Sequence, residues 1–150
     1  MMSQNINRDN YRKHRILIVD DQSFNIDAAL IILNTSLKLN TAELCSLAYN
    51  GREAVKKVVE SVQAFRGERC GYDLILMDCN MPFMDGYEAT SEIREYLYAR
   101  GIHQPIIAAV TGHTEPEYIA RAVSSGMNQV LSKPILASVL KKTVKKLHIS

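Results

Sequence analysis

The chain has 150 residues, 47% of them hydrophobic, and its 18 basic and 16 acidic side chains give a formal net charge of +2. That is the size of one ordinary domain with a full core, and so balanced a charge gives no ground for a nucleic-acid partner. The opening MMSQNINRDNYRKHR has no apolar signal core and no apolar run approaches membrane-spanning length, so a cytoplasmic protein without membrane insertion is expected.

Residues 1–13 are polar and basic and are expected to be flexible, with the folded domain over 14–150. Arg12, Lys13, His14 and Arg15 simply enter the first strand. That strand is ILIV, Ile16 to Val19, which runs into Asp20 and Asp21. Helical spacing follows at Ile26, Leu30, Leu33 and Leu37, then a strand at Leu44 to Ala48, then helical spacing at Val55, Val58, Val59 and Val62. The third strand, Leu74 to Met77, ends on Asp78 and turns at once through Asn80, Pro82 and Gly86. A helix carrying Ala89, Ile93 and Leu97 leads to a strand at Ile106 to Val110 and to Thr111. Ile119, Ala122 and Val123 mark a fourth helix. Gln129 to Leu131 form the last strand, which passes through Ser132 into Lys133, and Leu136, Leu140, Val144 and Leu147 mark the last helix.

Five short strands, apolar on both faces and separated by five helices, describe an α/β protein whose parallel sheet is covered on both sides. Right-handed crossovers leave few arrangements, among them an open doubly wound sheet, and the chain is too short for a closed eight-unit barrel. Cys45, Cys70 and Cys79 are odd in number and contain no CxxC pair, which fits free thiols in a reducing compartment.

The polar residues that close the strands carry the chemistry. In an open parallel sheet the carboxyl ends of the strands form the functional edge. If the first and third strands are neighbours, Asp20, Asp21 and Asp78 converge there. Three such carboxylates repel one another unless a cation holds them. Oxygen-only ligands at a site with few protein donors suit Mg²⁺ better than Ca²⁺. Lys133 supplies a positive point charge and Thr111 a hydroxyl donor, groups matched to phosphoryl oxygens. Either all three acids are metal ligands or one is a nucleophile. Asp78, at the end of the third strand of five, is the better nucleophile.

In order, ILIVDD, MDCNMPFMDG, the threonine of AAVTGH and the lysine-proline of LSKP resemble the receiver domain of two-component response regulators and hybrid histidine kinases, over about Arg15 to Leu147. The resemblance implies a flavodoxin-like sheet of order 2-1-3-4-5. It implies a signalling domain, not an enzyme acting on an external substrate, with Asp78 as phosphoacceptor from a phosphohistidine on a histidine kinase or histidine phosphotransfer protein. It further implies Mg²⁺ on Asp21, Asp78 and the backbone carbonyl of Asn80, with Asp20 acting through water, Thr111 and Lys133 on the phosphoryl oxygens, and a cis bond before Pro134. It leaves room for a weak homodimer. Either a stand-alone receiver or a piece of a hybrid kinase is expected, the second being favoured by the linker-like opening. Where the family carries Tyr or Phe, three residues before the lysine, this chain has Val130, too stiff and small to sweep inward as the aromatic does. Signalling by backbone shifts near Thr111 and Gly112 is therefore expected. The alternative is a receiver-like interaction module that works without phosphorylation.

Several residues have plainer readings. An exposed loop histidine is favoured for His113, an inert thiol for Cys79, and a solvated helix face for Lys141, Lys142, Lys145 and Lys146. Tyr87, Tyr96 and Tyr98 read as core and rim. Asp20, Asp21 and Asp78 taken only as helix N-caps would leave Thr111 and Lys133 unexplained.

Overall fold

A computed structural model describes Tyr11 and residues 13–147. Five parallel strands, β1 (Ile16–Val19), β2 (Cys45–Ala48), β3 (Leu74–Asp78), β4 (Ile106–Thr111) and β5 (Gln129–Ser132), form one sheet of order β2-β1-β3-β4-β5. This is the expected flavodoxin-like order. The strand order reverses between β1 and β3, so the crevice at their carboxyl ends lies between Asp20 and Asp78.

Successive residues point to opposite faces, and both faces are apolar. Leu17, Val19, Ile75, Met77, Ile107 and Ala109 pack on one side, beneath α3 (Gly51–Ala64) and α4 (Gly86–Ala99). Ile16, Ile18, Leu74, Leu76, Ala108 and Val110 pack on the other, beneath α1 (Ser23–Ile31) and α6 (Ala137–Lys146). Each fully buried Ile or Leu contributes about 1.5–3 kcal/mol of transfer free energy, which is why the strands read as unbroken apolar runs. α5 (Pro116–Ser125) covers the far edge and ends on Gly126, at φ 105° in the left-handed region.

Three details depart from the sequence reading. The expected five helices are joined by a short α2 (Thr41–Leu44), so Leu44 ends a helix where it was expected to begin a strand. The first helix changes after Ile31 into a π-helical stretch, Ile32–Ser36, which places Leu37 beyond the helix. In α5 only Ala122 is buried, while Ile119 and Val123 are exposed.

The chain entry is fastened more firmly than expected. Tyr11 is buried against the α3 side of the core and hydrogen-bonds Glu60, while Arg15 pairs with Asp73. The expected flexibility of residues 1–10 lies outside the described residues. Among the described residues no helix is long and apolar enough to cross a membrane.

Candidate functional site

Strand ends and short loops position every polar group of the site. Asp20 follows β1 directly, and its backbone N–H continues the ladder to Ala48 O at 3.1 Å. Asp78 is the last residue of β3 and stands opposite Val110 of β4. Thr111 closes β4, and its carbonyl accepts the Lys133 N–H at 2.8 Å, so the β5 exit is drawn back beside the carboxylates. The Lys133-Pro134 peptide is cis.

The structure brings Asp20, Asp21 and Asp78 together, each offering a carboxylate oxygen within 4.8 Å of the others. Asp20 and Asp78 are buried, at 4% and 2% exposure, and Asp21 is half-buried. Lys133 Nζ sits on this cluster, 3.0 Å from Asp78 Oδ1 and 3.3 Å from Asp20 Oδ2. Asp20 Oδ1 also accepts the Gln22 N–H at 2.9 Å, and Asp78 Oδ1 accepts the Asn80 N–H at 3.4 Å. Thr111 Oγ1 accepts from the His113 N–H at 3.0 Å, which leaves its hydroxyl proton available to donate.

Burial pushes the Asp78 carboxyl up to about 6; the Lys133 hydrogen bond pulls it down and the Asp20 charge pushes it up again. For Lys133, burial works against the ammonium, but the hydrogen bond and charge of Asp78, with the charge of Asp20, outweigh it and hold the pKa above its ordinary value. One ammonium against three carboxylates leaves the cluster short of positive charge. Its donors are all oxygen, so the residues present fit a hard divalent cation.

The loop after Asp78 is built to stay close. A Cβ on Gly86 would stand 2.1 Å from the Asp78 carbonyl oxygen, so only glycine allows this approach, and the Gly86 N–H donates to Cys79 O at 3.1 Å. Asp85 caps α4 by accepting the Glu88 N–H at 2.9 Å, and Asn50 caps α3 by accepting that of Glu53 at 2.8 Å. Side-chain capping thus falls to Asp85 and Asn50, and α1 has no such bond from its N-cap Gln22.

Of the other singled-out residues, Val130 is half-buried, paired with Ala109 and packed on the α4 side of the core. His113 is exposed and stacks on Tyr118 with ring centroids 4.6 Å apart. Cys79 is buried, and burial first, with the Asp78 charge adding to it, raises its thiol pKa. Tyr87 is core, Tyr96 packs at its edge and Tyr98 is exposed, while Lys141, Lys142, Lys145 and Lys146 face solvent.

Sequence reasoning missed Arg94. Its guanidinium donates to Gly126 O from Nε at 2.8 Å and from Nη2 at 2.7 Å, to Pro105 O at 2.7 Å, to Gln104 Oε1 at 3.0 Å and to Asn128 Oδ1 at 2.7 Å. It ties α4 to the entries of β4 and β5. An arginine in mid-helix carries no local signal of such partners.

The sheet thus gathers carboxylates and an ammonium at its switch point, the place where open α/β domains bind their ligands. The profile of the response regulator receiver domain matches residues 16–145, and the chain belongs to that family. It is a signalling domain of two-component and phosphorelay systems. It is 35% identical over 144 residues to histidine kinase CKI1 of Arabidopsis thaliana, covering 91% of this chain and 12% of that protein. Hybrid signal transduction histidine kinase B of Dictyostelium discoideum is 36% identical over 141 residues, 88% of this chain and 6% of that protein. The chain thus spans a small fraction of the curated relatives it matches. Among solved structures, the receiver domain of Saccharomyces cerevisiae Ssk1, crystallised with the histidine phosphotransfer protein Ypd1, superposes with a TM-score of 0.74 at 30% identity over 90% of this chain and 88% of that one. The CKI1 receiver domain complexed with Mg²⁺ superposes at 0.70 and 30% identity, over 93% and 96%.

Proposed function

We propose that this receiver accepts a phosphoryl group on Asp78 from a phosphohistidine of a histidine kinase or histidine phosphotransfer protein, in a Mg²⁺-dependent reaction that switches a protein-interaction surface. The observation that carries this reading is the buried Asp78, gathered with Asp20 and Asp21 and held by Lys133 at 3.0 Å. Asp21, Asp78 and the Asn80 carbonyl would hold the cation, with Asp20 acting through water. Bound there, Mg²⁺ supplies charge neutralisation for the acids and the incoming phosphoryl oxygens.

A carboxylate oxygen of Asp78 forms the new bond to phosphorus as the bond from phosphorus to the donor imidazole nitrogen breaks. The electron pair stays with the imidazole. Lys133 moves its hydrogen bond from Asp78 to a phosphoryl oxygen, and the Thr111 hydroxyl donates to another, so the charge that develops on the transferring group meets fixed donors.

A protein donor needs a surface on which to dock. α1 exposes Phe24 and Ile31, the start of α6 exposes Leu136 and Val139, and between α1 and the β5–α6 connection lies a cavity of about 310 Å³ lined by Ala28, Ala29, Ile32, Pro134 and Ile135. Asp20 and Lys133 also line it, so this apolar surface adjoins the acidic cluster. The test uses phosphorylated Ypd1 as a donor, with the label followed by gel. Label should pass to the wild type, slow with Phe24→Ser, and be absent from Asp78→Asn. Labelling of Asp78→Asn at the wild-type rate contradicts the assignment.

A further inference from the structure

α5 is a lightly embedded helix joined to α4 by three side-chain ties, the longest of them from Ser91 Oγ to Ser125 O at 3.5 Å. At its carboxyl end, Arg94 holds the Gly126 carbonyl through Nε at 2.8 Å and Nη2 at 2.7 Å. In its middle, the Arg121 guanidinium lies over the Tyr87 ring, 4.2 Å from the centroid, and Nη2 donates to Asp85 Oδ2 at 3.1 Å. Within the helix itself only Ala122 is buried, so few other contacts fix its rotation.

Both partners of Arg121 belong to the start of α4, and that start is locked to the phosphoacceptor strand. Gly86, between Asp85 and Tyr87, donates to Cys79 O at 3.1 Å and lies so near the Asp78 carbonyl that a Cβ would collide with it at 2.1 Å. Asp85 caps the helix through the Glu88 N–H at 2.9 Å. Tyr87 is buried in the same core cluster as Cys79. The backbone at Asp78 cannot move without carrying Asp85 and Tyr87 with it, because close-packed contacts of this kind do not stretch. Val130 offers no comparable link, being a small side chain packed on the core beneath.

We propose that Arg121 is the positioning residue that couples α5 to the end of β3, so that a change at Asp78 reaches the exposed face of α5, with Ile119 and Val123, through Asp85 and Tyr87. One planar guanidinium serves both the ring and the carboxylate. Gly126, held by Arg94, forms the fixed end about which α5 turns. The inference rests on the phosphoacceptor reading of Asp78.

The experiment treats wild type and Arg121→Ala with Mg²⁺ and acetyl phosphate, reading the intact mass and the backbone amide shifts of residues 116–125 before and after. Both proteins should gain one phosphoryl mass, and the phosphorylation-induced shifts along α5 should fall to about half or less in the variant. Arg121→Lys, which keeps a cation over the ring, should recover part of the response. If Arg121→Ala folds poorly by thermal melting, Asp85→Asn carries the same test, since it retains an N-cap while removing the charge. An α5 response in the variant equal to that of the wild type overturns the inference, even if the resting spectrum has changed, because a merely structural contact alters only the resting state. A wild type that gains no mass removes the phosphoacceptor reading instead, so the two failures are distinct.

Discussion

Asp78 binds its proton more tightly in the folded chain than in the unfolded one, since its pKa is raised from 3.8 to about 6. This group therefore favours folding below about pH 4, and the advantage is lost as the pH climbs through about 6. We expect Asp78→Asn, in the absence of divalent cation, to melt above the wild type at neutral pH, by on the order of 2–3 kcal/mol, with the gap narrowing toward pH 5. Thermal melts of both proteins across that range check it, and a gap that stays flat or widens toward acid contradicts it. Lys133 carries the opposite charge in the same contact. Lys133→Ala should slow phosphorylation of Asp78 by roughly 10²-fold, the usual loss when one preorganised donor to a transferring group is removed, and a stopped-time mass assay would show it. The thiols give an independent residue-scale check. Burial pushes Cys45 up to about 12 and raises Cys70 and Cys79 as well, so iodoacetamide at pH 8 should leave all three unmodified in the native protein and label all three in urea.

Among the elements, α4 organises one side of the molecule and α5 depends on it. Arg94 donates to four partners in two other segments, the entries of β4 and β5, and Arg94→Ala leaves several of those acceptors unpaired. The expected loss is about 2–4 kcal/mol in urea unfolding, most of it persisting in Arg94→Lys, which cannot reproduce the planar fork. By contrast, Ile119→Ser and Val123→Ser should each stay within about 0.5 kcal/mol of the wild type, because both side chains are exposed. The spacing of Ile119, Ala122 and Val123 reads as a helix face directed at a core, and the helix is there. How closely that face sits on the sheet was not legible, since periodicity gives a direction and not a distance. The π-helical stretch at Ile32–Ser36 was hidden for a similar reason: one widened turn leaves the apolar spacing of Ile26, Leu30 and Leu33 intact.

At the scale of the whole molecule, the strands were the most legible part. Parallel strands buried on both faces carry few polar residues, Ser46 of β2 with its His14 partner being an exception, so a polar group after an apolar run marks its carboxyl end, and those ends meet at one edge of the sheet. Asp20, Asp21, Asp78, Thr111 and Lys133 are legible in this way, although placing Asp20 beside Asp78 needs the β1–β3 pairing, which local pattern does not contain. The tight approach of Gly86 to Asp78 and the reach of Arg121 to Asp85 depend on side chains far apart in sequence and became visible only in the folded chain.

The role of Asp78 as phosphoacceptor is tested most directly by incubating the protein with Mg²⁺ and acetyl phosphate and weighing it intact before and after. A gain of one phosphoryl mass in the wild type, absent in Asp78→Asn and absent when the cation is chelated, is the result expected. No gain while Mg²⁺ demonstrably binds, or an equal gain in Asp78→Asn, would contradict it.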